Sequence, residues 1–138
     1  MSEMIFTTIP LDVENSDGTI FMKDSFLGKD IYDKIGNGMM MGELGHPSSF
    51  ETTKRNVTHK IDNIEIIDDI YCSDLLVSAS LIDTEAGRRV KDMLDDGATF
   101  RLSPRGKMKY DRDGEIIGYM LFTFDLMLIE KPTHFSDL

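Results

Sequence analysis

Residues 98–129 read ATFRLSPRGKMKYDRDGEIIGYMLFTFDLMLI. Two arms rich in β-formers flank Asp111-Arg112-Asp113-Gly114, a strong hairpin turn. The first arm, 98–110, contains Pro104. Proline has no N–H, so the chain must leave the regular ladder there or lie at a sheet edge. The second arm, 115–129, carries Asp125 among Phe122, Phe124, Leu126, Leu128 and Ile129. As a strand it puts Asp125 on one face with Thr123 and Met127, opposite the phenylalanines. An acid in an apolar strand is costly unless it has a partner, although a wetter face would also explain it.

Upstream of this hairpin lies the clearest helix. Thr84 is its N-cap, Glu85 sits where the helix dipole favours an acid, and Gly97 ends it. Ala86, Val90, Met93 and Leu94 form its apolar stripe, with Arg88 and Arg89 off it. Val57 to Ile67 and Leu75 to Ile82 read as strands, with Asp68-Asp69 and Ser73-Asp74 as turn material. Residues 3–9 read as a first strand, Asn15-Ser16-Asp17-Gly18 as a turn, and Thr19 to Met22 as a returning strand. From Asp24 to Ile35 apolar residues recur at helical spacing, weakened by Gly28 and ended by Gly36-Asn37-Gly38. Met39-Met40-Met41 then leads, as a short buried strand, into GELGHP at 42–47. The polar stretch 48–56 reads as a loop, and the tail from Lys131 as loose. The sum is an α+β fold: one domain over 1–138, with antiparallel strands round a strongly bent sheet or barrel and helices beside it.

The bulk numbers bound the function. With 138 residues and 41% hydrophobic residues the chain fits one core. Its 25 acidic residues against 15 basic give a formal charge of -10. That argues against a phosphate-gripping surface, so no direct nucleic-acid role is expected. The basic spot of Lys54, Arg55, Arg105, Lys107 and Lys109 either steers an acidic substrate or is a solvated edge. The longest apolar run, 116–129, is interrupted by Gly118, Thr123 and Asp125, so no membrane span is expected. The N-terminus MSEMIFTTIPL lacks the basic lead of a signal peptide. One cysteine, Cys72, forms no internal disulfide, which fits a reducing cytosol. Ten methionines read as adaptable core filler. Three scattered histidines and one cysteine show no zinc spacing, and no phosphate loop occurs. No metal or other cofactor is expected.

One set of residues is chemically coherent. A serine nucleophile needs a base within hydrogen-bond reach, usually oriented by a third group. Ser103 lies in Leu-Ser-Pro-Arg-Gly, His46 is held between Gly45 and Pro47, and Asp125 is the anomalous acid. Arg105 and Gly106, following the proline, are candidate N–H donors to an oxyanion. Glu43 is a candidate to orient the His46 ring, or a solvent-facing acid. Each residue has a plain alternative: Ser103 as a surface serine at a bulge, His46 as a turn histidine. His59 is a second candidate base, though its alternating context suits a strand histidine. His134 lies in the tail, and Cys72 sits at a turn edge.

In their order, GELGHP, a helix ending in glycine, Ser-Pro-Arg-Gly and Phe-Asp-Leu resemble the prohead (head maturation) proteases of tailed phages. The resemblance covers about residues 39–132. It implies the assemblin-like fold of herpesvirus proteases, a small β-barrel ringed by helices. It implies a serine endopeptidase with Ser103 as nucleophile, His46 as base and Asp125 as third member. Scaffold and major capsid proteins would be the substrates, inside a prohead in the host bacterial cytoplasm, with activity as a dimer or within an assembly. Such proteases often cut themselves, after Glu in a Leu/Ile-x-Glu context, and Leu128-Ile129-Glu130 fits. The family often has a second serine where this chain has Pro104, which removes one N–H. The alternatives are an inactive head-assembly or scaffold-binding module with the same fold, or an acidic structural protein.

Overall fold

The alternation of apolar and polar residues that marks the strands also fixes which face each one buries. The computed structural model describes residues 3–47 and 52–131. Its strands are β1 Met4–Leu11, β2 Met41–Glu43, β3 Val57–Asp68, β4 Ser73–Leu81, β5 Thr99–Tyr110 and β6 Ile116–Glu130. The helices are α1 Lys29–Gly36 and α2 Glu85–Asp95. Ile5, Ile9 and Leu11 of β1, Ile61 and Ile64 of β3, and Leu75, Val77, Ala79 and Leu81 of β4 meet Phe100, Leu102, Phe124 and Leu126 of the hairpin in one core.

The strands form an antiparallel sheet in the order β1-β4-β3-β2 and an antiparallel hairpin β5-β6. A parallel bridge between Leu44 and Leu126, with Gly45 N–H donating to Leu126 O at 2.8 Å, joins the end of β2 to β6. The resulting order is β1-β4-β3-β2-β6-β5. A closed barrel is not formed among the described residues: no strand ladder joins β5 to β1. A hydrogen bond crosses that seam, the Leu102 N–H donating to Thr7 Oγ1 at 2.7 Å. A side chain there does what a strand pairing would otherwise do.

The structure decides three local readings. The segment 24–35 is split by Gly28 into a 3-10 turn, Lys23–Phe26, and α1. The return of Thr19 to Met22 is a single bridge, Glu14 to Ile20, rather than a strand. β5 passes through Pro104 without a break, so the proline marks an edge. The α2 cap forms as the sequence predicts: Thr84 Oγ1 accepts the Gly87 N–H at 2.9 Å and donates to Val57 O at 2.5 Å. Gly87 is where α2 meets the sheet, since a Cβ there would lie 2.1 Å from Ile82 O. The tail beyond Lys131, including His134, lies outside the described residues.

Candidate active site

Ser103 and Asp125 are opposite one another in the β5–β6 register, so their side chains share a face. The other face holds Leu102, Phe124 and Leu126, all buried. This is the alternation that the hairpin sequence predicts. Gly45, with φ 78°, lets the chain turn out of its bridge with β6. The turn delivers His46 over the shared face.

His46 Nδ1 lies 3.0 Å from Asp125 Oδ2, and His46 Nε2 lies 3.2 Å from Ser103 Oγ. A carboxylate only accepts hydrogen bonds, so Nδ1 carries the ring proton of the neutral histidine. Nε2 is then left to accept from the Ser103 hydroxyl. The His46 side chain is 38% exposed, whereas Asp125 is fully buried.

Asp125 is heavily partnered. Its Oδ1 accepts the Glu43 N–H at 3.0 Å and an Arg105 Nη2–H at 3.1 Å. Arg105 Nε lies 2.8 Å from Oδ2. The guanidinium, 5% exposed, also stacks on Phe122, with Lys34 Nζ 4.4 Å from the centroid of the same ring. Lys34 donates to Phe122 O at 3.0 Å, and burial pulls its pKa below the usual lysine value. A buried carboxylate needs such compensation. The ion pair was missed from the sequence, although Arg105 lies two residues along β5 from Ser103, on the same face.

Glu43 and Arg105 therefore take different places from those expected. Glu43 is buried and contributes its backbone N–H to Asp125, while its Oε2 accepts the Thr53 N–H at 3.2 Å. The carboxylate on the His46 ring is that of Asp125. Arg105 is no part of a surface basic spot; Lys54, Arg55, Lys107 and Lys109 are exposed without it. Nor does it offer a backbone donor. The Leu102 N–H points away from β6, toward Thr7, so by antiparallel alternation the Ser103 and Arg105 N–H groups point into the β6 ladder. Gly106 lies three residues beyond Ser103, about 10 Å along an extended strand. An oxyanion at Ser103 needs a donor about 3 Å away. Gly106 serves packing instead: a Cβ there would lie 2.1 Å from Met120 O.

His59 is buried on β3 and takes no part in the relay. Its Nε2–H donates to Phe124 O at 2.7 Å, and Nδ1 accepts from Thr58 Oγ1 at 2.7 Å. Burial holds its pKa below the ordinary histidine value. Gly42 leaves room for this ring, since a Cβ would lie 2.5 Å from His59 Nε2 and 2.2 Å from Phe124 O. Cys72 is exposed at the β3–β4 turn beside Asp69 and Asp74. Its hydrogen bond to Asp69 raises the thiol pKa, the wrong direction for a nucleophile. Among the described residues, no three metal-ligating side chains converge, and no helix is long and apolar enough to cross a membrane.

Ser103 and His46 open onto a cleft of about 750 Å³. Thr7 to Pro10 of β1 form one wall and Arg101 to Pro104 of β5 the other. No protein-family model and no curated protein sequence matches the chain. Among solved structures, the chain is similar to the capsid assembly protease gp21 of bacteriophage T4. The match has a TM-score of 0.67 and 18% sequence identity, over 90% of this chain and 80% of that one. The fold of this chain is the fold of a phage capsid assembly protease.

Proposed function

We propose that the chain is a serine endopeptidase of prohead maturation, cutting scaffold and major capsid proteins. The observation that carries this reading is the continuous relay from Ser103 Oγ through the His46 ring to Asp125, at 3.2 and 3.0 Å, at the edge of a cleft. Ser103 attacks the peptide carbonyl carbon as His46 Nε2 takes the hydroxyl proton. The tetrahedral intermediate collapses when His46 returns that proton to the leaving amine. Water then repeats the sequence on the acyl-enzyme. Asp125 keeps the ring in its Nδ1–H tautomer and stabilises the imidazolium. The working setting is the prohead in the host cytoplasm, with residues 1–138 as one protease domain that works as a dimer or within an assembly. The acidic chain needs neither nucleic acid nor membrane for this chemistry.

The second reading is an inactive head-assembly or scaffold-binding module. It is favoured by one observation: neither Arg105 nor Gly106 offers an N–H beside Ser103. The two readings separate in one experiment. The purified chain and its Ser103→Ala variant are incubated with the scaffold and capsid proteins encoded beside it, and intact masses are followed. A fluorophosphonate, which acylates an activated serine whatever the substrate, is added in parallel. Cleavage and labelling by the parent alone are expected. Ser103→Ala cleaving as fast as the parent would overturn the nucleophile, and a parent that neither cleaves nor labels would establish the module.

A further inference from the structure

Residues 69–72 connect β3 to β4 and form a fixed tip. Asp69 Oδ1 accepts the Tyr71 and Cys72 N–H groups at 2.7 and 2.8 Å, and the Asp69 N–H donates to Cys72 O at 2.9 Å. One aspartate therefore closes the turn. Ile70 and Tyr71 stand at its outer positions, 87% and 89% exposed. Such positions usually take Gly, Asn, Asp, Ser or Pro. Two adjacent bulky side chains there add nothing to the core and leave apolar surface in water. Exposed Val13 lines the same cleft, of about 300 Å³, from the other side of the tip. Together the three make an apolar patch that the fold itself does not use.

The patch is framed in acid. Asp12 and Asp69 line its cleft, and Cys72 Sγ lies 3.5 Å from Asp69 Oδ2 and 3.9 Å from Asp74 Oδ2. Lys23 is paired with Asp68 at 3.3 Å, while among the described residues Asp12, Asp69 and Asp74 have no ion-pair partner. The Tyr71 and Cys72 N–H groups hold the Asp69 pKa below the usual carboxylate value, so the tip stays anionic. β1 leads from here to the catalytic cleft: Thr7 to Pro10 wall that cleft, and Leu11 to Val13 line the cleft at the tip. Thr7 is bonded to Leu102, the residue before Ser103, and Asp12 lies five residues further on, about 17 Å along an extended chain.

Building on the protease reading, we infer that the β3–β4 tip is a docking exosite for a lysine- or arginine-rich stretch of the substrate polypeptide that carries a bulky apolar side chain. The apolar side chain packs on Ile70, Tyr71 and Val13, and the cations pair with Asp12, Asp69 and Asp74. A tyrosine on a turn already fixed by hydrogen bonds is a suitable anchor, since little of its freedom remains to be lost on binding. Charge complementarity selects the occupant. A second copy would bring the same acids against the tip in a symmetric contact, on a chain whose formal charge is -10. The distance along β1 places the docked stretch five or more residues from the bond that is cut.

The test reads docking without hydrolysis. The Ser103→Ala chain is titrated with the peptide Ac-KRKLKRK-NH2 and with Ac-KRKSKRK-NH2, which keeps every charge and loses the apolar side chain. Affinity and the affected amides are both read by NMR. The leucine peptide is expected to bind at least tenfold more tightly, with its largest shifts at Val13, Ile70 and Tyr71. Adding Ile70→Ser and Tyr71→Ser, both at exposed positions, should abolish that preference without lowering the melting temperature. Equal affinity for the two peptides, or largest shifts away from 12–13 and 69–74, would overturn the inference. Shifts at the tip that need no peptide and grow with chain concentration would assign it to a second copy, and would also overturn it. In the cleaving parent, the Ile70→Ser, Tyr71→Ser pair should raise KM for the scaffold protein about tenfold with kcat within twofold; an unchanged KM would overturn the exosite. A parent with no hydrolysis and no fluorophosphonate labelling would remove the protease reading, while the titration still decides whether the tip docks a basic apolar segment.

Discussion

Asp125 is shared between two cations of different kinds, the fixed charge of Arg105 and the conditional charge of His46. The guanidinium holds the buried carboxylate through Nε and Nη2, and the His46 Nδ1–H meets the same group at Oδ2. Arg105 is thus a positioning residue: it fixes the carboxylate that holds the His46 ring. Arg105→Gln should lower kcat/KM about tenfold or more, because the carboxylate that orients the His46 ring loses its anchor. It should also cost about 3–5 kcal/mol of stability, since it leaves a buried charge without its partner. Rates measured well below the melting temperature separate the two effects; a weakened fold with unchanged kcat/KM would leave Arg105 a purely structural ion. Much of this site was legible in the residues. The acid among phenylalanines demanded a partner, and the glycine and proline around His46 announced a fixed backbone. The identity of the second partner was not legible, because Arg105 reads equally well as a surface cation. Only the register of Ser103 on Asp125 puts it beside that carboxylate.

At the scale of the element, β6 decides what can happen to the Leu128-Ile129-Glu130 sequence. Leu128 is opposite Phe100 and Glu130 opposite Thr99 in the β5–β6 ladder. Glu130 is held four residues of β5 away from Ser103, about 13 Å along a strand. It cannot stay in that register and also seat its carbonyl at its own Ser103. Cleavage after Glu130 would therefore occur between molecules. Parent protease added to the Ser103→Ala chain should release the tail, at a rate proportional to the concentration of added parent. In the parent alone, a first-order rate independent of chain concentration would show cleavage within one molecule and a β6 end that leaves its ladder. The hairpin itself was legible, since period-two alternation and Asp-Arg-Asp-Gly mark both arms and their turn. The continuity of β5 through Pro104 was not, because a proline at a free edge and a proline at a strand break look alike until the neighbouring strand is known. The expected oxyanion donors fell with that ambiguity, as an unbroken strand turns alternate N–H groups away from the cleft.

At the scale of the molecule, His59 ties β3 to β6 through the Phe124 carbonyl, beside the glycine that begins GELGHP. The sequence showed this histidine only as a weak second base, since nothing local reveals that 59 and 124 meet. Its role has a consequence for the whole fold. Burial depresses the folded-state pKa of His59, so the native protein prefers the neutral ring. Above the ordinary histidine value of about 6.5 both states are neutral and the group contributes no pH dependence. Below it the unfolded chain binds a proton that the native state refuses. Stability is then lost as pH falls from 6.5 toward the folded-state pKa, with a slope of at most about 1.4 kcal/mol per pH unit from this residue. Urea unfolding at pH 7.5, 6.5, 6.0 and 5.5 should show a plateau and then this decline. His59→Gln, which keeps a donor near Phe124 but does not titrate, should be less stable at pH 7.5 and lack the decline. A parent and variant that lose stability in parallel over this range would place the acid sensitivity elsewhere in the fold.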